Sequence, residues 1–211
     1  QTIGTRLHGE TGKGKLFAFE GAYQFGSNSP GYEAHNAGSV TAGMGHRLRN
    51  LRPHENGNAR VWLWYDWASG DNQTPAARGD NGFDALFPQS HWYLGFMDLF
   101  GRRNINDVSL QFMTPVLSPR VELILWYHYF FLDQKTTPYS ADMTAFNPTN
   151  AAVDRELGQE LDILLNFSMN PRNDILLGYS FFQAGKYYQL TPGVPSDSDG
   201  QFLYLQYQTR F

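Results

Sequence analysis

The chain has 211 residues, of which 41% are hydrophobic and 16% aromatic, and its formal net charge is −4 with no cysteine. A chain of this length fits one domain, and mild acidity without a basic stripe argues against nucleic acid as a partner. No stretch approaches the roughly 18 consecutive apolar residues of a membrane helix, which excludes a helical membrane protein.

Alternating apolar and polar residues predict nine β-strands. In chain order the predicted strands cover residues 2–10, 15–26, 36–48, 60–69, 106–117, 120–132, 157–170, 174–184 and 201–211. They are long enough to cross a bilayer at a tilt, which takes about 9 to 11 residues, whereas strands of soluble domains average about 5 or 6. The clearest is 157–170, where Leu161, Ile163 and Leu165 share one face and Glu160 and Asp162 share the other.

The last predicted strand has the same two faces and stops on an aromatic residue, Phe211. Leu203 and Leu205 lie on one face, and Gln206 and Arg210 lie on the other. An apolar face beside a polar face suits a wall with lipid outside and water inside. The alternative for this strand is the last strand of a soluble β-sandwich, which alternates in a similar way.

The connections between the predicted strands alternate between short and long. Residues 11–14, 118–119 and 171–173 form short turns rich in Gly, Pro and Asn, whereas 27–35, 70–105, 133–156 and 185–200 are long. The segment 49–58 departs from this rule, because it is longer and more polar than a typical inner turn. Short inner turns and long outer loops are typical of outer-membrane barrels. The sequence therefore predicts an all-β fold, with residues 1–211 forming a single antiparallel transmembrane β-barrel domain.

An odd number of strands is unusual for such a barrel. Bacterial single-chain barrels have an even number of strands, whereas nine are predicted here. Either the first segment is not a membrane strand and the barrel closes with eight strands, or this chain is the C-terminal part of a larger barrel. We favour the second interpretation, in which the partners that complete the wall are a missing N-terminal half or other copies of the chain.

Several short motifs are similar to those of one protein family. They are Thr5-Arg6-Leu7-x-Gly9, Phe19-Glu20-Gly21-Ala22-Tyr23-Gln24-Phe25-Gly26, Trp64-Tyr65-Asp66-x-x-Ser69-Gly70-Asp71, Phe87-Pro88-x-x-His91-x-Tyr93-x-Gly95-x-x-Asp98-Leu99, Leu157-Gly158-x-Glu160-x-Asp162 and Leu177-Gly178-Tyr179-Ser180. In order and spacing they resemble the alginate-export porins. The resemblance covers essentially the whole chain and corresponds to the C-terminal half of a barrel of about 18 strands. It implies a location in the outer membrane of a Gram-negative-type envelope, with membrane lipid and acidic polysaccharide as partners.

Charged residues on the predicted inward faces are candidates for lining a pore. They are Arg6, Glu20, Arg47, Asp66, Glu122, His128, Glu160, Asp162 and Arg210. On one hypothesis, Arg6, Arg47 and Arg210 attract a carboxylated sugar chain, because guanidinium groups suit carboxylates. On the other, the two signs of charge form salt bridges that brace neighbouring strands. The near balance of acids and bases favours bracing.

The longest predicted connection, 70–105, is unusually apolar for a loop. It contains the candidate constriction residues His91, Asp98, Arg102 and Arg103. We expect this segment to pack on itself or fold into the lumen, with its arginines facing the pathway or held by inward carboxylates such as Asp66. The alternative is a loop that covers the rim.

No cofactor, metal or catalytic residue is predicted. The Asp- and Asn-rich segments 71–73, 80–82 and 197–200 lack the downstream Glu of a calcium loop and are better explained as turns. The expected function is passive transport of anionic polysaccharide or small solutes. The alternatives are a plugged structural or adhesin-type barrel and, less favoured, an outer-membrane enzyme, since His128 and Ser180 lie on strands separated by 157–170 and are not expected to meet.

Overall fold

The computed structural model describes residues 1–27, 34–48, 59–72, 79–87, 91, 93–147, 150–196 and 198–211. The strands of this part of the chain are β1 (Thr2–Glu10), β2 (Lys15–Gly26), β3 (His35–Leu48), β4 (Ala59–Ala68), β5 (Ile105–Val116), β6 (Ser118–Phe131), β7 (Glu156–Asn170), β8 (Asn173–Ala184) and β9 (Gly200–Thr209). A five-residue helix, α1 (Lys186–Leu190), lies between β8 and β9. The predicted all-β class is confirmed.

All nine strands belong to one antiparallel sheet in the order β1 to β9. Each strand pairs only with its neighbours in the chain, and within the described residues no pairing joins β1 to β9. The protein therefore forms an open wall, which is consistent with part of a barrel.

The predicted strands agree with the observed ones to within two residues at each end. One turn differs, because the predicted turn residues Ser118 and Pro119 lie within β6 and the chain reverses at Leu117, which has a φ of 60°. The sheet register shifts beside it, between Pro115 and Val116. The connection 49–58 lies outside the described residues, and so do residues 28–33 of the connection 27–35. Helix α1 was not predicted, since five residues carry too little helical periodicity to detect.

The two faces of the sheet differ in chemistry, as the alternation predicts. In the strand register Leu165 pairs with Leu177 and Leu177 with Leu205, so an apolar row continues across three strands on the outward face. Leu203 and Leu205 are 70% and 72% exposed on this face. Burying such a face in lipid is favourable, whereas an arginine at mid-membrane on it would cost about 2–4 kcal/mol.

The packed core lies on the inward face and not between two layers of strands. Phe83 and Phe100, which precede β5, pack with Phe130 of β6, Phe182 of β8 and Tyr187 of α1. The ring centres of Phe100 and Phe130 are 5.0 Å apart, and those of Phe100 and Phe182 are 5.8 Å apart. Among the described residues, no helix has the length and apolar character needed to cross a bilayer.

Candidate functional site

A polar row crosses the inward face of five strands. Arg6 pairs in the strand register with Glu20, Glu20 with Thr41, Thr41 with Asp66, and Asp66 with Asp107. The row exists because each of these residues occupies the same phase of the two-residue period in its strand. The polar side chains on the inward faces of β1 to β5 therefore form one continuous row across the sheet.

The three arginines proposed to attract an anionic chain each contact a carboxylate. Arg47 makes two hydrogen bonds to Glu10, at 2.9 and 2.7 Å, and Arg210 donates to Asp174 at 2.7 Å. Arg6 lies 3.6 Å from Glu20, in a pair whose arginine side chain is 66% exposed. These contacts fit the bracing hypothesis, because each guanidinium group has a carboxylate partner within the sheet.

Two of the ion pairs on the inward face connect strands that are not adjacent. Arg60 of β4 donates to Glu122 of β6 at 2.5 Å, above the intervening strand β5. Arg47 of β3 likewise reaches Glu10 of β1 above β2. Glu122, predicted to line the pore, is therefore inward and half-buried as part of a brace.

The segment before β5 folds onto the polar face. We call its described residues 79–87, 91 and 93–104 the inner loop. Arg102 of the inner loop donates to Asp66 at 2.7 Å, which is one of the two arrangements expected for the loop arginines. Its guanidinium carbon also lies 4.4 Å from the centre of the Tyr93 ring, in a cation–π contact. Thr41 donates a second hydrogen bond to Asp66, which is buried.

The other candidate residues of the inner loop make local contacts. Arg103 donates to Asp80 at 2.7 Å, and its guanidinium carbon lies 4.9 Å from the centre of the Tyr139 ring. The backbone N–H of His91 donates to Asp98 at 2.7 Å, and the His91 ring lies 3.0 Å from the same carboxylate. These contacts hold the shape of the loop.

A buried cluster of ionisable groups lies beneath the inner loop. His128 Nδ1 is 2.7 Å from Asp107 Oδ2, and His128 Nε2 is 3.7 Å from Asp162 Oδ2. Glu160 occupies the neighbouring inward position of β7, and none of the four side chains is accessible to solvent. His128, Glu160 and Asp162 were predicted to line the pore; they are inward, but they contact one another and the loop.

Backbone N–H groups of the inner loop hold this cluster from above. The N–H of Met97 donates to Glu160 at 2.9 Å, and the N–H of Phe96 points at Asp162 at 3.4 Å. The preceding residue, Gly95, has a φ of 84°, and a Cβ atom there would collide with the Glu160 carboxylate. Only glycine gives both the left-handed backbone and the close approach. The loop is therefore anchored to β7 by the main-chain N–H groups of Phe96 and Met97, which follow the turn at Gly95.

The same cluster does not form a hydrolase triad. Ser180 donates to Oδ1 of Asp162, whereas His128 Nε2 lies nearest to Oδ2, so the serine and the histidine each approach Asp162 and no hydrogen bond joins them in the described residues. A nucleophilic serine needs a base within hydrogen-bond distance. Ser180 and His128 are also inaccessible to solvent. The expectation that these two residues would not meet agrees with the geometry.

The Asp- and Asn-rich segments use their carboxylates in local hydrogen bonds. Asp80 accepts from the N–H of Gly82 at 2.8 Å, Asp71 accepts from the N–H of Asn81 at 3.2 Å, and Asp199 accepts from the N–H of Ala184 at 2.7 Å. Gln73 and Asp197 lie outside the described residues. Across the described ranges, no group of three or more His, Asp or Glu has the arrangement of a metal site.

Two cavities flank the inner loop. One, of about 330 Å³, lies between the loop and β1 to β3 and contains Arg6, Glu20 and Arg102 in its lining. The other, of about 350 Å³, lies between His91 and Phe96 of the loop and the inward face of β5 to β9. We call the second one the amide cavity, because Gln111, Asn166, Gln206 and Gln208 line it. The inner loop therefore divides the inward space.

The sequence placed Gln206 on the polar face of its strand, but it did not show that the amide side chains share one cavity or what Gly95 does. Gln111, Gln206 and Gln208 occupy inward phases of their strands, so the two-residue period could have found them. Gly95 belongs to one of the motifs that resemble the family, but its role could not be identified, because a glycine in a long loop has many explanations.

One family matches the sequence. The sequence model of a family described as alginate export matches residues 1–201. No curated protein matches the chain.

Proposed function

Since the chain belongs to the alginate-export family, we propose that its nine strands form part of the wall of a passive outer-membrane channel that lets polysaccharide leave the cell. The family is one of transport and not of catalysis. No phosphate-binding loop occurs in the sequence, so we expect movement down a gradient without nucleotide or cofactor.

The observation that carries this proposal is the position of the inner loop. The loop lies on the polar face, where Arg102 and the Gly95 turn attach it to Asp66 and Glu160, and cavities remain on both sides of it. A segment held across a polar lumen narrows the path and leaves room for a chain of sugars. Such constrictions set selectivity in channels.

An acidic polysaccharide is the substrate that the family suggests. Arg6 and Arg210 have side chains that are 66% and 55% exposed, so each could also contact a passing carboxylate while keeping its partner. Small solutes would use the same path. The alternative is a general porin in which these charges only brace the wall.

Planar-bilayer conductance with and without oligouronates tests the proposal. We expect an ohmic current that oligouronates block, and weaker block after Arg6→Ala, Arg47→Ala or Arg210→Ala. A conductance that changes neither with oligouronates nor with the three substitutions would identify a general porin. No conductance in a fully assembled barrel would contradict transport.

A plugged structural or adhesin-type barrel is the second candidate, and the buried aromatic core favours it. Phe100, Phe130, Phe182 and Tyr187 fill the inward space near α1, much as side chains fill small barrels. The same conductance measurement separates the two candidates, because a plugged barrel carries no current.

A further inference from the structure

We propose that the amide cavity is a saccharide subsite that binds sugar hydroxyl groups and does not require a carboxylate on the sugar. The proposal rests on the channel function above and adds the chemistry of one binding position within it. It implies that uncharged glycans are also ligands of this protein.

The first argument is the supply of amide groups that have no protein partner in the described part of the chain. Gln111, Asn166, Gln206 and Gln208 all line one cavity, and within the described residues their side chains make no hydrogen bond with another protein group. An amide offers two donors and an acceptor with two lone pairs. A hydroxyl group both donates and accepts, so neighbouring sugar hydroxyls match such a set without needing charge.

The second argument is that the charges lining the cavity are already paired. Glu122 accepts a hydrogen bond from Arg60, and Asp174 accepts one from Arg210, at 2.5 and 2.7 Å. His91 lies against Asp98. The lining therefore has polar groups but little unbalanced charge, which does not favour a carboxylate over a hydroxyl.

The third argument is the aromatic and apolar surface beside the amides. The rings of His91, Phe96 and Tyr204 lie close together with nearly parallel planes, and their centroids are 5.4 Å (His91–Phe96), 5.7 Å (Phe96–Tyr204) and 5.9 Å (His91–Tyr204) apart. Trp126 packs in the same cluster as Phe96, and its indole N–H donates to Ser109 at 3.0 Å, which fixes the orientation of the ring. Concave sites with apolar walls and a few polar groups are typical of small-molecule binding, and 350 Å³ is within their usual size range of about 300–1,000 Å³.

The cavity lies toward the short-turn end of the sheet. Glu122 is close to the reversal at Leu117, and Asp174 is close to the turn before β8. Short turns of outer-membrane barrels face the periplasm, so in the proposed channel an exported chain would meet the cavity before it passes the inner loop.

Calorimetric titration of the folded, assembled protein in detergent tests the subsite, with a neutral β-1,4-linked glucohexaose and a hexauronate of equal length as probes. We expect both to bind with dissociation constants within about threefold of each other, because paired surface charges add little. Raising salt from low to high should change glucohexaose binding by less than about twofold, since hydroxyl contacts are not screened.

Substitutions locate the binding. Gln206→Leu with Gln208→Leu should weaken glucohexaose binding on the order of tenfold, because two hydrogen-bonding side chains are lost. The control Gln201→Leu lies on the same strand but outside the cavity lining, and should have no effect. If the double variant fails to fold, Gln206→Glu serves instead, and it should retain glucohexaose binding while weakening hexauronate binding.

The outcomes separate this inference from the channel function. Hexauronate binding that high salt abolishes, with no glucohexaose binding, would overturn the inference in favour of charge recognition. A conducting channel that binds neither probe would overturn the subsite and leave transport standing. Glucohexaose binding to a protein that carries no current would support the subsite and overturn transport.

Discussion

At the scale of single residues, the arginines on the inward face differ mainly in how far water reaches them. The side chains of Arg102 and Asp66 are 18% and 5% exposed, whereas Arg6 in its pair with Glu20 is 66% exposed. Removing one partner of a buried pair leaves an uncompensated charge, but an exposed pair is screened by solvent. The two pairs should therefore contribute very differently to stability.

We expect Arg102→Ala to lower the free energy of unfolding by about 3 kcal/mol, at the low end for a broken buried pair because Thr41 still donates to Asp66. The matched change Arg6→Ala should cost at most about 1 kcal/mol. Equilibrium urea titration of the protein folded in phospholipid vesicles measures the free energy of unfolding of both variants. Equal losses would show that the inner loop is not held by the buried pair.

At the scale of elements, Gly95 determines whether the inner loop reaches β7. Gly95→Ala places a Cβ against the Glu160 carboxylate and forces a left-handed φ on alanine, at a cost of about 1–3 kcal/mol. We expect faster amide hydrogen exchange in residues 93–103 of the variant. The control Gly12→Ala adds a Cβ with nothing within 4 Å and should leave exchange unchanged. Unchanged exchange in Gly95→Ala would mean that the loop is anchored elsewhere.

The assignment of the two faces of β1 to lipid and to the inward space leads to a second prediction. Leu7 lies on the apolar face opposite Phe19, and its neighbour His8 lies on the inward face opposite Ala18. Leu7→Arg should therefore destabilise the folded protein in lipid by about 2–4 kcal/mol, whereas His8→Arg should be nearly neutral. Urea titration in vesicles compares the two. A larger loss for His8→Arg would reverse the assignment of the faces.

The strands and their faces could be predicted from sequence because a two-residue period depends only on neighbouring residues. Glu160 and Asp162 were placed inward for that reason. The sequence could not predict that the backbone N–H groups of Phe96 and Met97 bind these two carboxylates, since every residue except proline has such a donor. The contact between Arg102 and Asp66 could be anticipated only as one option, because opposite charges have several partners within reach.

At the scale of the whole molecule, nine antiparallel strands place β1 and β9 in the same direction. Direct pairing of β1 with β9 would be parallel, unlike the antiparallel pairing of outer-membrane barrels. Each free edge in lipid would leave backbone N–H and C=O groups without partners, which the bilayer does not tolerate. We propose that further strands, from additional polypeptide or other copies, complete the wall.

Native mass spectrometry of the membrane-extracted assembly tests this proposal. We expect the smallest heat-modifiable, protease-resistant species to contain more polypeptide than one 24.0 kDa chain of this sequence. A protease-resistant monomer of that mass would instead favour closure with eight strands.

The most direct measurement of the central claim is the single-channel current of the assembled protein in a planar bilayer, for the unmodified sequence and for Gly95→Ala. If the inner loop narrows a water-filled path, the unmodified channel conducts and the variant conducts more, while Gly12→Ala matches the unmodified channel. Absence of current in the unmodified assembly, or identical currents with and without the anchored loop, would contradict the account.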